Sequence, residues 1–396
     1  MSTAPPHVKP FTDDSYLNAK ASVLGFVIEP LIVISLLTAG VICNRRPLSA
    51  VTRAHPSLSP AVIPTTHTRH PSLRFFKPRD TSRFSNNWIS TTLYRFPFLI
   101  EVFYWGLTYW VYQIARAISA ALFIDDGTVD ISRRHAMQLL EFERRIGLQW
   151  ENIVQDTLMQ HAWAITVLNW YVEYFGRRNA CGTNGRARVY SFIHIPATIT
   201  FLGYFYHTQP FRVYAPVRRT MALANLLAFA VFTLWPCMPP RLLPAAYGFV
   251  DTVHKHGAGS FWTTNRFCNP LAAMPSLHFG YSLIVGISLC AHPPPHRLMP
   301  LYLRVLFLLY PALILLAIVA TANHYLLDAL AGLFVAALAR YANATLVPLL
   351  ALENTIFYLL HIHKPSPAHL VESQSLQDAL PRFAEDAIKH TGDGAA

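Results

Sequence analysis

The chain has 396 residues, 53% of them hydrophobic and only 13% charged, with a formal net charge of +11. Soluble domains carry about a quarter charged residues, so this composition excludes one ordinary soluble core and points to a chain that crosses a membrane several times. The positive charge does not indicate nucleic acid, because much of it sits in residues 44–95, immediately after an apolar segment.

In chain order, residues 1–20 lack a basic region followed by an apolar stretch and a cleavage site, so they read as a lumenal tail. Residues 21–43 form the first apolar segment and the expected uncleaved anchor. The following loop, 44–96, holds Arg45, Arg46, Arg53, Arg69, Arg74, Lys77, Arg79 and Arg83 among many Ser, Thr, Pro and His residues. It is expected to be cytosolic and poorly ordered. A span needs about 20 mostly apolar residues, and further candidates lie at 97–123, 219–236, 277–291, 303–320 and 325–345.

The region 160–207 is divided by "GRRNACGTNGRAR". If it crosses once, the basic loops 44–95, 208–219 and 292–304 share one side with the C-terminus, which is the arrangement that the positive-inside rule favours. Residues 176–189 then read as an insertion within one passage, or as a gene-model artefact. The result is seven spans, with a catalytic region over 97–345 and a cytosolic tail over 346–396. Between the second and third spans, Ala136, Leu139, Leu140, Ile146, Leu148, Ile153 and Leu158 recur at roughly helical spacing with charges between them. That pattern predicts one amphipathic helix lying on the lumenal surface.

Three polar strings meet the lumenal ends of the last four spans: "WPCMPPRLLP", "MPSLHFG" and "TANHYLLDALAG". Because spans alternate in direction, all three fall on one membrane face. In the third, His324 and Asp328 are four residues apart and are expected on one helical face. A carboxylate beside an imidazole fixes its tautomer, raises its basicity and leaves the other ring nitrogen to attack. A helix-packing hydrogen bond is the plainer alternative. In the second string, Pro275 and Ser276 resemble a helix start whose N–H groups attract phosphate, with His278 one step inside. An ordinary cap with an interfacial histidine fits the same residues. Arg241 either snorkels to headgroups or grips two phosphate oxygens. Lys255 and Arg266, in the loop that follows, are weaker candidates for that role.

Convergence shifts the balance toward chemistry. A nucleophile, an orienting carboxylate, an acid for the leaving oxygen and a cation suffice for phosphoryl transfer without a metal. No carboxylate cluster suited to Mg²⁺ stands nearby in the sequence, and no cofactor is expected. The five cysteines show no metal-ligand spacing. Cys237 and Cys268 share one lumenal loop and could form a disulfide. The sequon at Asn343 lies near the cytosolic end of the last span and is expected to carry no glycan.

The strings "PPRLLP", "AAMPSLHFGYSLIVG" and "TANHYLLDALAG" resemble the type 2 phosphatidic acid phosphatase superfamily, and within it the inositolphosphotransferase branch that includes the fungal inositol phosphorylceramide synthases. The resemblance covers about 97–345 and implies an all-α polytopic fold, a six-helix transmembrane core with one extra N-terminal span. It implies His324 as nucleophile through a phosphohistidine, Asp328 as its orienting partner, His278 as acid and Arg241 as phosphate ligand. It also implies a phospholipid donor, a lipid alcohol acceptor such as ceramide, and a lumenal site in the Golgi or endoplasmic reticulum. Two departures stand out. Ala317 and Ile318 replace the phosphatases' Ser-Arg pair, and "PPRLLP" replaces their first motif. Both favour transfer. A lipid or polyprenyl phosphatase is the nearest alternative, a transporter or non-catalytic membrane protein a more distant one, and a vanadate-dependent haloperoxidase more distant again.

Overall fold

A computed structural model of the chain describes residues 23–46, 79–123, 126–161, 190–250, 272–293 and 299–364. The 176–189 insertion, Lys255, Arg266, Cys268 and most of the basic loop and C-terminal tail lie outside the described residues. Among the described residues the fold is all helical, with one isolated bridge between Cys237 and Ala272. The helices are α1 (Val23–Cys43), α2 (Trp88–Arg95), α3 (Phe98–Phe123), α4 (Asp126–Arg145), α5 (Glu151–Gln160), α6 (Tyr190–Thr208), α7 (Phe211–Leu234), α8 (Leu277–Ala291), α9 (Leu301–Ala320, with a 3-10 turn at Leu306–Leu308), α10 (Leu326–Ala342) and α11 (Leu349–Leu359).

Among the described residues, three helices are long and apolar enough to cross a membrane: Phe211–Leu234, Leu301–Ala320 and Leu326–Leu346. Their outward residues suit lipid rather than water. Leu306, Leu309, Phe334, Leu338 and Tyr341 are all exposed, and in water each would forfeit about 1.5–3 kcal/mol of burial free energy. This supports a membrane protein. α10 packs against α7 and α8, α8 against α9, and α1 against α6. A central core of Phe98, Phe205, Tyr214, Met221, Ile284 and Ala336 joins these helices.

The expected single amphipathic helix is two. α4 ends at Arg145, Gly147 turns with φ +73°, and α5 starts at Glu151. Its apolar positions also divide differently from the spacing argument. Ala136 and Leu140 are buried against Cys237, Met238, Leu243, Ala322 and Tyr325, whereas Ile146, Leu148 and Ile153 are exposed. The inward face carries Glu143, Glu151 and Gln155, all buried. Charges expected in water therefore lie inside.

Two further regions depart from the expected layout. The basic loop was expected to run to residue 96, yet α2 is formed and docked. Asn87 caps it by accepting the Ile89 N–H, and Ser90 Oγ accepts the His363 N–H at 2.8 Å. The start of the tail forms α11, which meets this segment through Arg83 and Tyr358 at 2.6 Å. Asn343 is buried, and its side-chain amide donates to the Arg340 carbonyl at 2.5 Å.

Candidate active site

The site forms where three chain segments are tied together by their backbones. Ala273 donates its N–H to the Cys237 carbonyl at 3.0 Å, Arg241 donates its N–H to the Ala322 carbonyl at 2.9 Å, and Ser276 donates its N–H to the Asp328 carbonyl at 2.9 Å. The segments that converge are those carrying the three polar strings. Two glycines make this approach possible. A Cβ on Gly332 would collide with the Ser276 carbonyl oxygen, and one on Gly280 would lie 3.2 Å from the Gly332 oxygen. α8 and α10 therefore meet main chain to main chain, a distance that any side chain would open.

His324 stands on a turn rather than in a helix. α9 closes with Ala322 N–H donating to Val319 and Asn323 N–H donating to Ile318. This is a Schellman closure, in which the residue past the cap adopts a left-handed conformation. Ala322 does so at φ +51°, at a cost of about 1–2 kcal/mol for a residue with a Cβ. α10 then begins at Leu326. His324 and Asp328 do come together, at 3.4 Å between Nδ1 and Oδ2, but across the helix cap and not along one helical face. Asp328 Oδ2 also accepts the Tyr325 N–H at 3.0 Å, which anchors it as a cap.

The closest partner of His324 Nδ1 is a backbone group, the Ala273 carbonyl, at 2.8 Å. A carbonyl only accepts, so Nδ1 carries the proton and Nε2 presents its lone pair. Nε2 lies 3.4 Å from His278 Nδ1, with the ring centroids 5.6 Å apart. His278 occupies the first turn of α8, whose N-cap is Ser276. Ser276 is wholly buried, and its Oγ accepts the Phe279 N–H at 3.4 Å. It thus lies beneath the site and shapes the start of α8.

Arg241 is half-buried, and its Nε donates to Asn323 Oδ1 at 2.7 Å, while Asn323 Nδ2 donates to Thr321 Oγ1 at 2.7 Å. The guanidinium is thereby held beside the residue preceding His324. Cys237 is buried, and burial raises its pKa above the ordinary thiol value; Cys268, its proposed disulfide partner, lies outside the described residues. Among the described residues, no group of three or more His, Cys, Asp or Glu side chains is arranged to hold a metal ion.

The spacing argument missed two features. The Ala273 carbonyl has no side-chain signature. Glu143 and Glu151 accept the N–H groups of Leu327 and Leu326 at 2.8 and 2.9 Å, so the amphipathic pair caps the helix that carries Asp328. The only sequence signal for this was two acidic residues eight apart in an otherwise surface-like stretch.

Residues 186–342 match the family model described as the PAP2 superfamily. The matched region is less than half of the chain, yet it contains Arg241, Ser276, His278, His324 and Asp328; Glu143 and Glu151 fall outside it. The match supports the superfamily, and with it a lipid-directed enzyme of the phosphatase or phosphotransferase kind, without reaching any one branch. No curated protein and no solved structure matches the chain.

Proposed function

We propose that the chain is an integral membrane phosphotransferase that moves a phosphoryl headgroup, of the inositol phosphate type, from a phospholipid to a lipid alcohol such as ceramide. The observation that carries this reading is the polarised imidazole pair, with His324 Nδ1 bound to a carbonyl and Nε2 facing His278 at 3.4 Å. In the first half-reaction His324 Nε2 attacks phosphorus, the bond from phosphorus to the lipid alkoxide breaks, and His278 gives that oxygen a proton. In the second, His278 takes the proton of the incoming alcohol, whose oxygen displaces His324. Arg241 stabilises the charge gathering on the phosphoryl oxygens, with Lys255 and Arg266 as further candidates from the same loop. Asp328 stabilises the positive charge that develops on His324.

Transfer is favoured over hydrolysis by what stands in place of the phosphatases' Ser-Arg pair. Ala317 and Ile318 are buried in the α9 core, leaving the phosphoryl group to a different cation. The reading includes a six-helix catalytic unit over 97–345, an added span at 21–43 and a lumenal site in the Golgi or endoplasmic reticulum.

The test uses microsomes carrying wild type or His324→Ala, given radiolabelled phosphatidylinositol with and without ceramide. A ceramide-dependent lipid product from the wild type alone supports transfer. Ceramide-independent release of inositol phosphate or inorganic phosphate indicates hydrolysis. Equal turnover by His324→Ala removes the proposed site.

A further inference from the structure

Glu143 and Glu151 are the least expected groups near the site. Each is 0% exposed, and each spends one oxygen on a first-turn N–H of α10. Their second oxygens, Glu143 Oε2 and Glu151 Oε2, are buried without a hydrogen-bond donor. The two carboxyls cap adjacent N–H groups and so lie against the same turn of α10. Two buried anions on one turn would repel strongly, and a proton on Glu143 removes that repulsion. The N-terminus of α10, with its orphan N–H groups and positive dipole end, accepts the one remaining negative charge.

We propose that Glu143 is protonated beside Glu151 and that the two act as a positioning pair, gripping the first turn of α10 and so setting the approach of His324 to His278. This rests on the reading of His324 as nucleophile. Neither glutamate touches substrate in this scheme. They act through Leu326 and Leu327, whose turn also carries Asp328, four residues after His324.

A pH dependence follows. Burial first, then the charge of Glu151, push the Glu143 carboxyl up to about 9, while the Leu327 N–H works against that shift. The titratable groups facing Glu143 are Glu151 from α5, Asp328 and Tyr325 from the start of α10, and Cys237 from the segment after α7. At neutral pH the Glu143 carboxyl keeps its proton. As pH rises through about 9 it is lost, the carboxylates repel and the grip on α10 loosens.

The experiment compares full-length wild type with Glu143→Gln and Glu143→Leu in detergent or bilayer discs. Glutamine keeps an acceptor for the Leu327 N–H and a donor for Glu151 but cannot titrate. It should retain most of the turnover and lose the fall in kcat on the alkaline side. Glu143→Leu should lower kcat by roughly tenfold or more with little change in KM, as expected of a lost positioning contact. Infrared spectroscopy reads the proton directly. The carbonyl stretch of a protonated carboxyl should be present in wild type and in Asp328→Asn at neutral pH, vanish as pH passes about 9, and be missing in Glu143→Gln. Absence of that band from wild type overturns the Glu143 proton, whatever the enzyme does. The band with no lipid turnover by wild type means that the phosphotransfer reading has failed and the pair stands. An unchanged alkaline limb in Glu143→Gln, or wild-type kcat in Glu143→Leu, overturns the positioning role. Should the leucine variant not fold, the glutamine pH profile and the band still decide.

Discussion

Two buried polar clusters occupy opposite ends of α7, and they are built on opposite principles. At the end away from the site, Glu101 is fully used. Arg218 Nη1 lies 2.7 and 2.8 Å from its two oxygens, and the Tyr214 hydroxyl donates to Oε2 at 3.0 Å. The Arg218 guanidinium also lies 4.4 Å from the Tyr104 ring centre. At the site end, Asp328 Oδ1, Glu143 Oε2 and Glu151 Oε2 are buried with no donor, while two imidazoles stand within 3.4 Å of each other. A saturated cluster fixes structure. An unsaturated one, costly wherever it has no purpose, leaves polar atoms with bonds still to be made.

The contrast can be tested by disturbing each end in turn. His324→Ala should lower turnover by at least about 10³-fold, as loss of a covalent nucleophile does, with unchanged thermal stability in detergent. Arg218→Met should do the reverse. Leaving Glu101 buried and unpaired should cost about 3–5 kcal/mol of stability, read as a lowered melting temperature, while turnover per folded molecule stays near wild type. Gly332→Ala strikes the joint between α8 and α10 and should cost about 1–3 kcal/mol as overpacking, together with a loss of kcat, since it drives the two histidines apart. The smallest effect concerns neither cluster. His363 is buried against Thr81 at 3.0 Å, and burial holds its pKa below the ordinary 6.5, with Asp80 opposing. A depressed imidazole pKa contributes stability that is complete above the ordinary value and lost as pH falls through the folded value. Hydrogen exchange in α2 and α11 should therefore quicken on acidification, and His363→Asn should flatten that response.

Much of this arrangement was legible in the sequence because apolar runs and polar interruptions obey simple rules. The strings "PSLH" and "NHYLLD" both mark helix mouths, and the structure brings the two together. What could not be read falls into two physical kinds. The carbonyl of Ala273 is a backbone group present in every residue, so nothing in the letter A reports its role. Glu143 shares the inward face of the first helix with Ala136 and Leu140, and the Gly147 turn, which folds one expected helix into two, brings Glu151 to the same side. A periodicity argument assumes one continuous helix and therefore assigns those charges to solvent. The pairing of His324 with Asp328 was found by the right spacing and the wrong geometry: four residues along a helix and four residues across its cap bring the side chains equally close.

The bare glycine contact between α8 and α10 also bears on how such a site persists through evolution. Because main-chain atoms of Ser276, Gly280, Asp328 and Gly332 hold the two motifs together, their spacing is set by backbone contact, with the closing turn of α9 placing His324 beside it. Side chains on the outer faces of these helices can change while that contact stays fixed. What natural selection must preserve is a handful of short words, scattered far apart and individually unremarked, whose meaning is restored only when the chain folds.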